Sequence, residues 1–245
     1  MTSSPQQLSS STSSLWTELS SLKPTQCAVG MKHVMRKVGE MQELKQTAGK
    51  DKVVDFLRNH PAPVVVRNDN IYLIDNHHLC RALSELQGDF FSDLDFNSNG
   101  SQNIKSSTSG GEASPSPSST PKCFVKVVDD LSALKSDQEF WSKMENEKWV
   151  HPYDKHGKGP VDFCKIPKHV GSLDDDLFRS VAALVKIQGG FKKSMIPYAE
   201  FQWANFFRDQ IGDHHSSSKF EEAVEQSMKL AKDKKASHLP GYTGN

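Results

Sequence analysis

Two short apolar runs on either side of a polar turn form the clearest pattern in the chain. Residues 64–66 are all valine, residues 67–70 read Arg-Asn-Asp-Asn, and residues 71–74 read Ile-Tyr-Leu-Ile. Short apolar strands joined by an Asn/Asp-rich turn are typical of a β-hairpin. Residues 75–83 follow directly and read Asp-Asn-His-His-Leu-Cys-Arg-Ala-Leu. The pattern therefore predicts a hairpin whose second strand leads into a helix that begins near residue 77.

Apolar residues recur at helical spacing through much of the remaining chain. The helices predicted from this spacing cover residues 32–44, 51–59, 137–149, 174–188, 198–210 and 219–234. Residues 123–128 alternate in the manner of a strand, which needs the hairpin as its partner. The two halves of the chain are therefore expected to share one sheet.

Two segments have the composition of disordered chain. Residues 1–21 are predicted to be a Ser-rich tail and residues 92–121 a disordered insertion, because few large apolar side chains are present to bury. We expect one domain at residues 22–172 and a helical extension at residues 173–245 packed on it.

Composition narrows the choice of functions. Lys and Arg together number 30, as do Asp and Glu, so no overall basic field favours nucleic acid as the partner. The four cysteines include no Cys-x-x-Cys pair, which argues against a zinc ribbon or a dithiol redox motif. No apolar run approaches the roughly 20 residues that span a bilayer, and the first residues do not form a secretory signal. A cytoplasmic protein without a membrane partner is expected.

The strand-to-helix junction is the strongest candidate for a binding site. The first turn of a helix leaves backbone N–H groups unpaired and carries a partial positive charge. Asp75 or Asn76 can cap this end, His77 and His78 lie in the first turn, and Arg81 follows on the same side. Phosphate or carboxylate is the natural ligand there. The alternative is an ordinary capped helix with solvated polar residues.

Motifs that occur in a fixed order along the chain resemble the ParB-like nuclease family. They are Pro24-Thr25-Gln26, Val29-Gly30, the hairpin, residues 74–83, residues 149–154, Arg179-Ser180, Gly189-Gly190-Phe191 and residues 200–204. The resemblance covers roughly residues 22–242 apart from the Ser-rich insertion. That family is similar to the wider ParB and sulfiredoxin superfamily. The resemblance implies an α+β fold, with a small mixed sheet flanked by helices and a helical C-terminal part.

The resemblance also implies a ligand. In these relatives the junction binds CTP, ATP or ADP, which places phosphate contacts at Asn76, His77, His78 and Arg81. It makes Asp75 a candidate for orienting a histidine or a Mg²⁺-bound water. Sulfiredoxins carry a reactive cysteine in the junction. In chromosome-partitioning ParB the junction is rich in arginine. Neither feature is present in this chain.

The leading hypothesis is a nucleotide-dependent enzyme that transfers or hydrolyses a phosphoryl group. Backbone N–H groups and Arg81 would hold the phosphates, Mg²⁺ would neutralise charge, and His77 or His78 would act as acid or base. The acceptor is not identified by the sequence. One alternative is a metal-dependent nuclease that uses Asp75, His77 and His78, although adjacent helical residues point about 100° apart. Another is a non-catalytic module that senses a nucleotide.

Several residues outside the junction are candidates for closing the predicted binding pocket around the ligand. They are Gln26, Lys32, Tyr153, Arg179, Lys193 and Glu200. Glu200 lies among aromatic residues, where a carboxylate needs a partner. An ion pair between Glu200 and Arg179 would satisfy that need without any catalytic role.

Overall fold

The computed structural model describes residues 14–86, 88–96, 120–212 and 219–244. Its strands are β1 (Ser14–Glu18), β2 (Leu22–Pro24), β3 (Ala28–Val29), β4 (Ala62–Arg67), β5 (Asn70–Leu73), β6 (Lys122–Asp130) and β7 (Asp174–Asp175). Its α-helices are α1 (Met31–Ala48), α2 (Lys50–Asn59), α3 (His77–Glu85), α4 (Gly88–Phe91), α5 (Asp137–Asn146), α6 (Leu177–Ile187), α7 (Ala199–Ile211) and α8 (Phe220–Leu230). Short 3-10 helices of the described residues occupy Leu19–Ser21, Phe163–Lys165, Val170–Ser172 and Lys234–Ala236.

The main sheet of the described chain has the strand order β1-β6-β4-β5-β2. Strands β4 and β5 form the predicted antiparallel hairpin, with Val64 opposite Leu73. Strand β6 runs parallel to β4 and antiparallel to β1, while β2 runs parallel to β5. The sheet is therefore mixed and joins the two halves of the chain. The predicted α+β class, hairpin and late strand are confirmed.

Alternating side chains of the sheet pack into two different clusters, as the period of a strand requires. Val64 and Leu73 lie on the face covered by α1, α2 and α3. Val65 lies on the opposite face with Phe140 of α5. A third cluster fills the space among α6, α7 and α8. None of the helices in the described ranges is long and apolar enough to cross a membrane.

The prediction of a disordered tail through residue 21 is wrong for residues 14–21. Strand β1 pairs with β6, and Trp16 is only 5% exposed. Part of the predicted insertion is ordered as well, because the Phe96 ring packs edge-on against Trp16 with centroids 4.7 Å apart. Burial of these aromatic rings outweighs the polar composition around them. Residues 1–13 and 97–119 lie outside the described residues.

A second, two-stranded sheet ties the beginning of the chain to the C-terminal helices. Strand β3 pairs with β7, so α1 and α6 start side by side. Gly30 stands where they meet, and a Cβ added there would lie 2.3 Å from the backbone nitrogen of Ser180. The backbones can approach this closely only because Gly30 has no side chain. This contact places the first turn of α6 beside the start of α3.

Candidate anion-binding site

A cavity of about 680 Å³ opens beside the start of α3. Its walls come from the β5–α3 junction, one side of α1, both ends of α6, the start of α7, and residues 148, 149 and 151 of the loop that follows α5. Residues 191–198, which join α6 to α7, also line the cavity, and because most of them are exposed to solvent we call this segment the entrance. The sequence-predicted junction therefore lies in a wall of this cavity, and helices from the C-terminal part complete the enclosure.

The first turn of α3 is open toward the cavity. Asn76 is at the N-cap position with φ 61°, and its side chain donates to the Pro61 carbonyl at 3.0 Å instead of capping the helix. The Asp75 carboxylate accepts from the Asn76 N–H at 2.7 Å. Within the described chain, the N–H groups of residues 77–79 have no hydrogen-bond partner. This turn therefore presents unpaired donors to any ligand in the cavity.

Both junction histidines use Nε2 to accept a hydrogen bond from the backbone. His77 Nε2 accepts from the Thr25 N–H at 3.2 Å, and His78 Nε2 accepts from the Gly30 N–H at 3.0 Å. An imidazole nitrogen that accepts cannot carry the proton, so the proton of each neutral ring is on Nδ1. The Leu73 backbone acts to raise the pKa of His77, but burial outweighs this effect. His77 is thus a structural residue, whereas Nδ1–H of His78 remains a donor.

The structure does not support His77 or His78 as the acid or base of a reaction at neutral pH. Burial, followed by the charge of Arg179, lowers the pKa of His77 to about 3. The same causes, together with His33, hold the pKa of His78 well below its ordinary value. Both rings are neutral at pH 7, and the nitrogen that would accept a proton already accepts a backbone N–H.

Arg179 supplies a buried positive charge to the cavity. Its residue is 7% exposed, and burial lowers the pKa of its guanidinium to about 10, so the group is charged at neutral pH. The guanidinium carbon lies 3.4 Å from the centroid of the Phe201 ring. No acceptor atom of the described residues forms a hydrogen bond or ion pair with this side chain. A buried charge with no partner is costly, and an anion in the cavity would offset that cost.

The anticipated ion pair between Arg179 and Glu200 is not formed. Glu200, at the start of α7, pairs with Lys186 in the last turn of α6. Burial raises the pKa of the Glu200 carboxyl, but Lys186 and then Arg179 more than offset this effect, and the pKa lies below its ordinary value. The carboxylate is therefore ionised and already occupied, which leaves Arg179 available.

Three of the other predicted residues lie outside the main cavity. Arg81 donates to the Gly171 carbonyl at 2.5 Å and pairs with Glu85 at 2.8 Å. Lys32 lies over the Phe220 ring. Tyr153 borders a separate void of about 10 Å³ and stacks on His151. Arg81, the predicted phosphate contact, therefore does not line the cavity, because its side chain is directed to the 3-10 helix at Val170–Ser172.

The other predicted site residues do line the cavity. Gln26, Lys193, Arg179 and Glu200 line the cavity together with Asp75, Asn76, His77 and His78. Gln26 is held by its side-chain NH₂ group, which donates to the Ala28 carbonyl at 3.0 Å.

Sequence reasoning missed His33 and Lys37, which lie one turn apart on α1. The His33 ring packs edge-on against His78 with centroids 5.0 Å apart, and its buried Nδ1 has no hydrogen-bond partner. Burial, and then Lys37, lowers the pKa of His33 to about 4. Burial also lowers the pKa of Lys37. The four-residue spacing beside the apolar stripe of α1 was the available signal, but it indicates only a shared helix face.

The carboxylates at the cavity offer little to a metal ion by themselves. In the described ranges there is no group of three or more His, Cys, Asp and Glu side chains that could hold one. Asp75 is exposed at the cavity edge, and Glu200 is paired with Lys186.

We expect the stability of the protein to fall steeply below about pH 6.5. Burial lowers the pKa of His33 to about 4 and of His77 and His151 to about 3. Below about pH 6.5 the unfolded chain binds protons that the folded chain does not, so each such histidine costs about 1.4 kcal/mol per pH unit. Urea unfolding at about pH 7.5, 6.5 and 5.5 measures the slope. Imidazole NMR signals of the folded protein that titrate near pH 6.5 for these three residues would contradict it.

The fold and the cavity together define an α+β protein with a cavity at a strand-to-helix junction. A family model described as "Putative ParB-like nuclease" matches residues 15–209. This match spans well over half of the chain, so the protein belongs to the ParB-like nuclease family. The resemblance stated from the sequence motifs is confirmed.

A solved structure has the same fold. Protein Atu1540 from Agrobacterium tumefaciens is 32% identical in sequence, with a TM-score of 0.73, and the match covers 96% of this chain and 99% of that protein. No curated protein matches the chain.

Proposed function

We propose that the cavity binds the phosphate groups of a nucleotide such as ATP, ADP or CTP, and that the protein transfers or hydrolyses a phosphoryl group. The observation that carries this proposal is Arg179, a buried guanidinium that stacks on Phe201 but has no hydrogen-bond or ion-pair partner in the described chain. The planar fork of an arginine matches the oxygens of phosphate and binds them by two parallel hydrogen bonds.

The groups around Arg179 favour a ligand that only accepts hydrogen bonds. The open first turn of α3 offers backbone N–H groups, and neutral His78 offers Nδ1–H. Lys37 adds a second positive charge from α1. A phosphate has several oxygens that accept hydrogen bonds, and all of these groups donate them.

Asp75 is the residue proposed for the chemical step. Its carboxylate lies at the edge of the cavity and is held by the Asn76 N–H. In this position it would hold a Mg²⁺ ion that enters with the phosphates, or orient the water or hydroxyl that attacks. The bound ion would neutralise charge on the transferred group. Binding of the phosphates remains the task of Arg179 and α3.

Phosphorus NMR with Mg²⁺ and each of ATP, ADP and CTP tests the proposal. We expect the wild type to bind and convert one of these nucleotides. Asp75→Asn should still bind that nucleotide, because the phosphate contacts are retained, but should lose most of the turnover. Glu40→Gln removes a carboxylate from the α1 surface, where it pairs with Arg36, and is a suitable control. Absence of nucleotide binding by the wild type would overturn the proposal.

Membership of the family makes a nuclease the second candidate. Nicking of a supercoiled plasmid that stops when a chelator is added would favour it over transfer to a small molecule. Nucleotide binding without conversion of the nucleotide or the plasmid would indicate a sensing module. The neutral overall charge of the chain gives a long polyanion little general attraction.

A further inference from the structure

The cavity has more positive charge than one phosphate group can neutralise. Among the described residues that line it, Lys37, Lys148, Arg179, Lys192 and Lys193 have no ion pair, whereas Asp75 is the carboxylate without a basic partner. A phosphate monoester carries about 1.5 to 2 negative charges near pH 7. The whole chain is neutral, so this excess is local to the cavity.

Two of these cations, Lys192 and Lys193, belong to the entrance rather than to the α3 end. They follow Phe191, whose buried ring stacks on Trp203 with centroids 4.3 Å apart and planes 8° apart. Both lysine side chains are exposed to solvent. An exposed lysine gains little by itself, so the position of the backbone that carries these residues is important.

The C-terminal segment fixes that backbone from the other side. The Trp203 indole N–H donates to the Pro240 carbonyl at 2.7 Å, and the Lys192 N–H donates to the Gly241 carbonyl at 2.8 Å. Lys232 adds a side-chain hydrogen bond to the Gly189 carbonyl at 3.0 Å. The entrance is thus clamped between the ring of Trp203 and residues 240–241.

Gly241 cannot be replaced in this arrangement without moving the entrance. Its φ is 78°, in the left-handed region, and an added Cβ would lie 2.1 Å from the Lys192 carbonyl oxygen. Both facts require glycine at this position. The close approach of Gly241 to the Lys192 backbone therefore fixes the position of the backbone that carries Lys192 and Lys193.

We propose that Lys192 and Lys193 form a second anion subsite, which receives a further phosphate of a ligand whose first phosphate binds at Arg179. The ligand is then a compound with at least two linked phosphate groups. This inference rests on the proposed function and extends it by assigning the residues that receive the second phosphate. The C-terminal segment acts as the positioning element of the subsite through Gly241.

Inorganic phosphates test the subsite without any contribution from a base or sugar. Orthophosphate, pyrophosphate and tripolyphosphate are titrated calorimetrically into the full chain at constant ionic strength. We expect wild-type affinity to rise by about tenfold or more from orthophosphate to tripolyphosphate, since further charge-assisted contacts are made. Lys192→Met with Lys193→Met should remove most of that gain and change orthophosphate affinity by about twofold or less, because the pair contacts only the second phosphate.

Lys234→Met with Lys235→Met is the matched control. These adjacent lysines are also exposed and belong to the same C-terminal part, but they do not line the cavity. The control removes the same formal charge and should retain the full gain. An equal loss in both double variants would mean general attraction to positive charge and would overturn the subsite. Retention of the gain by the Lys192 and Lys193 variant would also overturn it.

The positioning role of Gly241 is tested separately. Gly241→Ala should reduce the gain from orthophosphate to tripolyphosphate without removing either lysine. Gly39→Ala, at a position with no atom within 4 Å of the added Cβ, should leave it unchanged. If orthophosphate does not bind the wild type at all, the proposed function fails. If it binds and the longer phosphates gain nothing, only the second subsite fails.

Discussion

Arg208→Met is expected to destabilise the protein by about 3–5 kcal/mol, because it leaves a buried carboxylate without its charged partner. Arg208 donates from Nη2 to both oxygens of Asp176 at 2.6 Å, and both side chains are less than a tenth exposed. The remaining bonds to Asp176 come from the N–H groups at the start of α6. Thermal unfolding should show a fall in Tm of about 10 °C for a chain of this size.

A second substitution separates loss of the charge pair from loss of packing. Asn is a good N-cap residue, so Asp176→Asn in the Arg208→Met background keeps a cap for α6 while removing the buried negative charge. This double variant should recover part of the lost stability. A single Arg208→Met variant as stable as the wild type would show that the pair does not matter for folding.

Unlike Arg208→Met, the Arg179→Met substitution is expected to weaken ligand binding and to leave stability nearly unchanged. No acceptor in the described chain is left unpaired when this guanidinium is removed, and a methionine can still pack on the Phe201 ring. The free energy of unfolding should therefore change by no more than about 1 kcal/mol, or should rise. Affinity for the phosphate ligand should fall by about a hundredfold or more, as expected for loss of a bidentate charged contact.

Calorimetric titration and urea unfolding on the same preparation measure both effects. Arg179→Lys should restore part of the affinity, because it returns the charge but not the fork of donors. Unchanged binding in Arg179→Met would remove the observation on which the proposed function depends. Strong destabilisation would instead show that the guanidinium is a structural group.

The comparison of these two arginines shows why sequence reasoning reached only part of the site. Arg179 and Arg208 both lie on helices among aromatic residues, and both are buried. Their roles differ because the side chain of Arg208 is bonded to Asp176, whereas the side chain of Arg179 is not. That selection depends on how α6 and α7 cross, which no local pattern records.

Local signals were sufficient for much of the fold. The Asn/Asp turn after the three valines set the hairpin, and the apolar spacing at residues 51–59 located α2 to within one residue. The junction was found because a strand, a polar pair and a helix follow one another directly along the chain. In each case the determining residues are close neighbours in sequence.

Features that depend on distant partners were missed or misassigned. Glu200 was expected to pair with Arg179, but Lys186 is the nearer base across the α6–α7 contact. His33 was not singled out, since its place beside His78 arises only when α1 and α3 pack together. Strand β1 was hidden by its serine-rich surroundings, and its burial depends on β6, more than a hundred residues later.

Strand β1 also has a consequence for how the protein can be shortened. It covers one side of β6, whose residues run from Lys122 to Asp130 and whose other side is occupied by β4. A chain cut at residue 22, the boundary suggested by composition, would leave the backbone of β6 as a free sheet edge. Such an edge is a template for intermolecular strand pairing. Self-association of the shortened protein would then reflect a missing strand and say nothing about the native oligomeric state.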